Sequence, residues 1–343
     1  MSENKVLLNN GLSVSIDWLA FTVQLDYSVE DVIEFMGFNL ALFREMPNGA
    51  NGYKRMRKYN DISILYDGST NMGIHVCITG NSICTLLKSY KDTLQIDTPF
   101  GRAYDMWEDK VFSHFLNSVL KIGQLSRLDL AIDDIGALYF DLDDITRELQ
   151  GERIVTKWKT YKTYLDNVFA GNEKVGHSIY FGSRKSEIML RIYDKKLEQN
   201  RTLSVDDEKY IHSEWVRWEL ELHKGRADKV AELISKGIPL GEVAIGVLSH
   251  YFRIIQNDDC NKSRCSNNLL WDMFVSSVRS LRITTKKEER SMDDTVKTFE
   301  RQNMRTIAKI WHYKGGDMGY FSDLACRGNE KLTLQDKIQL GLE

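Results

Sequence analysis

Three segments of this sequence alternate between apolar and charged residues, and that alternation constrains the fold more than any other feature. In "RLDLAID" (127–133), Arg127, Asp129, Ala131 and Asp133 point one way, and Leu128, Leu130 and Ile132 the other. In "VRWELELH" (216–223), Arg217, Glu219, Glu221 and His223 share a face opposite Trp218, Leu220 and Leu222. In "EIMLRIYDKKLE" (187–198), the polar side carries Arg191, Tyr193 and Lys195 against Leu190 and Ile192. A strand with one dry face belongs to a sheet that is covered on that side.

The rest of the chain supplies more strands and the helices to cover them. Strands are expected at 12–25, 72–80 and 212–223, a hairpin over 52–68 turning near Asn60–Asp61, and two strands in 177–198 joined at Gly182–Ser183. Helical spacing runs over 28–43 with Ser28 as cap, from about Asn81, over 103–120 and over 141–150. It returns near 225–236, 240–254, 268–281 and 293–314. The order lacks the regular strand–helix alternation of a parallel sheet. The expected class is therefore α+β: mainly antiparallel sheet with flanking helices, a strand-rich core over 1–224, and a mainly helical C-terminal region over 225–343 packed on it. The two strand-rich halves echo each other weakly.

Bulk composition excludes little. The net charge of −3 does not favour nucleic acid, so any such reading must rest on local clusters. Five cysteines, irregularly spaced and without CxxC, read as reduced thiols in a cytoplasmic protein. A zinc reading of Cys260 and Cys265 finds no matching second pair. No stretch of eighteen apolar residues suggests a membrane span.

A solvated face with cross-strand ion pairs explains any one of the three charged strands. Three together, short of Ser and Thr, point further. Gathered carboxylates repel one another unless a cation or proton intervenes. Carboxylate oxygens suit Mg²⁺ or Mn²⁺, which polarises a phosphoryl oxygen. Arginines hold phosphate oxygens bidentately, and a tyrosine hydroxyl can attack phosphorus. Metal, arginines and tyrosine together describe a DNA-nicking site.

The segments "RLDLAIDD", "IYFGSRKSEIMLRIYDKKLE" and "WVRWELEL" resemble the replication initiation factor family Rep_trans, as do "SIDWLAFTV", "GIHVCITG" and "WDMFVSS". The family comprises rolling-circle plasmid initiators and relaxases of integrative and conjugative elements. The resemblance implies single-strand nicking at an origin through a 5′-phosphotyrosine, followed by strand transfer. It implies Tyr193 as nucleophile, from "RIYDKK", and Asp129, Glu219 and Glu221 as ligands of a divalent metal, with Asp133 able to replace one. Arg191, Lys195, Arg127 and Arg217 are the expected catalytic cations. The sequence has seven histidines but no HxH, the metal motif of other nicking enzymes, which fits carboxylate ligation; His75 is a lesser candidate. A non-catalytic DNA-binding protein or repressor of the same fold is the alternative, and a metal nuclease without a covalent step a third reading. The opening residues and the length tilt towards conjugative elements.

For DNA contact, "YKRMRKY" supplies Lys54, Arg55, Arg57 and Lys58, the turn before Tyr193 supplies Arg184 and Lys185, and "KWKTYK" (157–162) has similar composition. The implied partners are origin DNA, double-stranded and as an exposed single strand, a host helicase, and a second copy of the chain as a homodimer; no membrane is involved.

Overall fold

The alternating segments become neighbouring strands of one antiparallel sheet. The structure, a computed structural model, describes residues 11–94, 107–167, 169, 174–183, 185–205, 207, 209–279, 281 and 292–329. It has two compact units, Met1–Thr285 and Lys286–Glu343. The first runs β1 (Gly11–Val23), α1 (Val29–Phe35), β2 (Arg44–Glu45), β3 (Arg55–Tyr59), β4 (Ile62–Tyr66), β5 (Ile74–Thr79), α2 (Ser82–Thr93) and α3 (Trp107–Ile122). It continues with β6 (Gly123–Ile135), α4 (Leu142–Gln150), β7 (Ile154–Thr156), β8 (Tyr161–Asn167), β9 (Lys174–Phe181), β10 (Ile188–Asp194), α5 (Lys195–Asn200) and β11 (Trp215–His223). It closes with α6 (Gly225–Ser235), α7 (Leu240–Tyr251), β12 (Phe252–Ile254) and α8 (Leu269–Arg279). The second unit holds α9 (Met292–Tyr313) and α10 (Met318–Asn329). Ten strands form one sheet in the order β2-β3-β4-β5-β1-β6-β11-β10-β9-β8, and β7 pairs with β12 apart from it.

The dry faces meet the helices. Leu128, Leu130 and Ile132 of β6, Leu190 and Ile192 of β10, and Trp218, Leu220 and Leu222 of β11 are buried in one core with the apolar faces of α3, α6, α7 and α8. Trp218 is ringed by Phe140, Phe252, Trp271 and Phe274, with centroids 5.2–6.3 Å away. A buried indole of this kind is worth ~3–5 kcal/mol against alanine. No helix among the described residues is long and apolar enough to cross a membrane.

Several elements differ from the sequence expectation for local reasons. The helix expected over 28–43 starts in a Ser28–Asp31 capping box but stops at Phe35. Gly37 follows at φ +80°, where an added Cβ would lie 2.5 Å from the Ser89 carbonyl oxygen. Lys195 is not on the Tyr193 strand. The strand ends at Asp194, whose carboxylate accepts the Leu197 N–H at 2.8 Å and caps α5. In β1 the alternation slips: Val14 and Ile16 face the core, then Leu19, Phe21 and Val23 do, with a register shift between Ile16 and Trp18. That β-bulge carries Asp17 as its extra residue.

Candidate active site

Opposite the helices, strand register brings the charged residues of β6, β10 and β11 side by side. Glu221 faces Asp129, Glu219 faces Ala131 and Arg217 faces Asp133 across β11 and β6; Arg191 faces Glu219 and Tyr193 faces Arg217 across β10 and β11. Asp129, Asp133, Arg217, Glu219 and Tyr193 are all buried, so every charge among them needs a partner.

The partners divide this face into three linked groups. Arg217 donates to both Asp133 oxygens, at 2.7 and 2.9 Å, and through Nη1 to Asp17 at 2.5 Å; the Trp215 indole N–H donates to Asp133 at 2.6 Å. Burial works against the Arg217 charge, yet Asp133 holds its pKa well above the ordinary range. Arg127 donates to both Asp129 oxygens, at 2.9 and 2.6 Å, and to Glu221 at 3.0 Å, while stacking over Trp18 at 4.1 Å. Burial, aided by Glu219 and Glu221 and opposed by Arg127, pushes the Asp129 carboxyl up to about 8.

The third group surrounds the phenol. Tyr193 Oη donates to Glu219 Oε2 at 3.0 Å and accepts from Lys195 Nζ at 3.3 Å. The Arg191 guanidinium lies 3.7 Å over its ring. Burial first, then the charge of Glu219, raises the phenol pKa well above its usual value; burial and Asp17 raise that of Glu219. Glu198 bonds Lys195 and lies 3.7 Å from Arg191 Nη2, so one acid neutralises both cations beside the hydroxyl.

Tyr193, Arg191, Lys195, Glu219 and Arg217 thus come together, with Arg127, Asp129 and Glu221 adjoining them. Among the described residues no three His, Cys, Asp or Glu side chains converge as a ready metal cage. His75 lies on β5, bonded to Thr22 Oγ1 at 3.0 Å and lowered in pKa by burial. Cys265 is buried and Cys260 exposed, both free thiols.

The cations singled out for DNA are scattered. Strand parity sends Arg55 and Arg57 to the side of β3 that pairs with Tyr66 and the buried Ile64, where both engage Glu45 at 3.0 Å. Lys58 is exposed opposite Ser63 on the charged side of the sheet. Lys54 is exposed, 3.9 Å from Asp67, and Lys185 is exposed in the β9–β10 turn. Arg184 lies outside the described residues.

Sequence reasoning missed Asp17 and Glu198. Asp17 has a signal in hindsight: the broken parity of "SVSIDWLAF" marks a bulge. Glu198 has none, because a six-residue helix aims it.

The sequence model of the replication initiation factor family (Rep_trans) matches residues 123–324, and that of the rolling-circle replication initiation protein N-terminal domain matches 13–96. A Bacillus subtilis (strain 168) protein named as a DNA relaxase, NicK, is 24% identical over 78% of this chain and 71% of its own. The solved rolling-circle replication initiator protein of Geobacillus stearothermophilus is 28% identical, with a TM-score of 0.65 over 80% of this chain and 99% of its own.

Proposed function

The chain belongs to the replication initiation factor family, the rolling-circle initiators and relaxases, and from that membership we propose how its site cuts DNA. The substrate is origin DNA, and the reaction is single-strand nicking by Tyr193. The observation that carries this reading is the hydroxyl of Tyr193, held between Glu219 as acceptor and Lys195 as donor under the Arg191 guanidinium.

In this mechanism the scissile phosphate takes over the cations that Glu198 neutralises in the DNA-free protein. Arg191 and Lys195 then offset charge on phosphorus and on the phenolate. Glu219, raised in pKa by burial, accepts the phenolic proton. The Tyr193 Oη–P bond forms as the P–O3′ bond breaks, leaving a 5′-phosphotyrosine and a 3′ oxygen that takes up a proton. Arg217 bonds neither Tyr193 nor Glu219; locked to Asp133 and Asp17, it holds β11 and the bulge of β1 in register.

Asp129 and Glu221 are the residues that would hold a divalent ion, Mg²⁺ or Mn²⁺, in place of the Arg127 guanidinium that now bonds both. Mg²⁺ is commonly bound by one or two carboxylates plus substrate phosphate rather than by an all-protein cage. These two acids oppose each other across the strands and share one guanidinium. Bound there, the ion would supply Lewis-acid polarisation of the phosphate. Glu219 is assigned to the proton, not to the metal. A host helicase and a homodimeric partner complete the reading as family expectations.

Tyr193→Phe tests it. The variant should lose nicking of origin-bearing supercoiled plasmid on the order of a thousandfold or more, form no SDS-stable adduct, and keep its DNA affinity. A variant that still yields open circles and an adduct ends the assignment.

A further inference from the structure

Resting on the nicking reading, we propose that Tyr164 and Tyr180 form a stacking platform for unpaired bases of the strand being cut. Both lie on the charged side of the sheet, between its free edge and the nucleophile. Register places Tyr164 of β8 opposite Ser178 of β9, and Ser178 opposite Tyr193 of β10. The adjacent row is Lys162, Tyr180, Arg191 and Glu219. Tyr164 and Tyr193 are therefore two strands apart, roughly 10 Å, with the small Ser178 side chain between them.

The rings are arranged for flat ligands with charge alongside. Tyr164 and Tyr180 meet edge to face, centroids 5.4 Å apart at 85°. The Arg191 guanidinium lies 5.6 Å from the Tyr180 ring on one side and 3.7 Å over Tyr193 on the other. Tyr164 is 53% exposed on an edge strand that is exposed throughout, and Lys162 beside it is exposed as well. An apolar protein partner would leave Lys162 and Asp166 desolvated. A single strand of DNA offers π-faces to the tyrosines and phosphates to Lys162 and Arg191.

The test measures binding of the full chain to fluorescent oligo-dT of about 12 nucleotides and to an abasic strand of equal length, across a salt series. The wild type should prefer oligo-dT. The Tyr164→Ala/Tyr180→Ala variant should bind oligo-dT roughly 5- to 100-fold more weakly, the loss that base–aromatic stacks give, and bind the abasic strand as before. Tyr164→Phe and Tyr180→Phe should retain the preference, which separates lost stacking from lost folding. Lys162→Ala should weaken both ligands and flatten the salt dependence. A wild type indifferent to the bases, or a double-alanine variant that keeps the preference, overturns the platform. Adduct formation by the wild type is scored separately: its absence sinks the nicking reading while a measured base preference stands.

Discussion

From β1 the chain runs through α1 and four strands that line up beside β1 in the order β5, β4, β3, β2; from β6 it runs through α4 and four strands that line up beside β6 in the order β11, β10, β9, β8. The halves join through β1 and β6. Register then matches positions one to one. Ala20 and Ala131 correspond, because each lies beside the returning strand at the same level, next to Cys77 and Glu219. Stepping outward, Trp18 corresponds to Asp129, Thr22 to Asp133, His75 to Arg217, Thr79 to Glu221, Ser63 to Arg191 and Leu65 to Tyr193. Even the Arg217–Asp133 pair has its echo in His75–Thr22. One backbone plan therefore carries two surfaces, and the ionic one lies in the second half. The plan supplies a face; the side chains on it supply the chemistry.

The largest expected contrast is in stability. Arg217→Ala leaves Asp133 buried with its charge uncompensated, which should cost ~3–5 kcal/mol. His75→Ala, at the matching position, removes a neutral hydrogen bond and should cost ~1 kcal/mol. Urea unfolding of the two variants measures the difference. Equal losses would mean that the matched pairs do the same structural work and that the ionic pair is not the lock described above.

A pH-dependent contrast comes next, measured in chelator so that no metal enters. The Asp129 carboxyl is raised by burial from 3.8 to about 8 in the folded chain. Below the unfolded value both states hold the proton. Between the two values only the native state does, so its stability is full at low pH and is lost as pH rises through about 8. The slope approaches 1.4 kcal/mol per pH unit for one proton. Asp129→Asn should remove that share of the decline, whereas Ser63→Ala, at the position matching Arg191, should leave the slope in place. A wild-type stability flat between pH 5 and 8 (a window of about three units) would contradict the raised carboxyl.

Much of this is readable in the sequence because period-two alternation is a local signal. The parity of "RLDLAID", "VRWELEL" and "LRIYD" puts Asp129, Glu219, Glu221, Arg191 and Tyr193 on one face, and the strand register does the same. What parity cannot report is where alternation stops. Lys195 reads as the next strand position, yet Asp194 caps a helix there; the lysine still reaches the Tyr193 hydroxyl from the first turn of α5. Nor does composition report pairing. "YKRMRKY" reads as one basic patch, but alternation splits it across two faces, and Glu45, ten residues before Arg55, takes up two of its arginines. β8 escapes sequence reading because an edge strand exposed on both sides shows no hydrophobic alternation. The doubled plan is faint because corresponding positions share almost no residue types.

The smallest effect is expected where the comparison is most exposed to failure. Cys77 stands at the position of Glu219, on the same side of the sheet, close enough for Arg127 and Asp129 to act on its thiol. Proximity alone would admit it to the chemistry. Burial, however, pushes the thiol up to about 11, so at pH 8 only about one molecule in a thousand carries the thiolate. A nucleophile or ligand needs that thiolate, and the cations near it, Arg127 and Lys58, do not offset the burial: Arg127 is already engaged by Asp129 and Glu221. Iodoacetamide at pH 8 should therefore label the exposed Cys260 and Cys326 well before Cys77, and Cys77→Ser should change nicking by less than about twofold, within the scatter of a surface substitution. A larger loss, with unfolding unchanged, would show that the first half of the sheet shares in catalysis and that the division between a bare plan and a charged one is drawn in the wrong place.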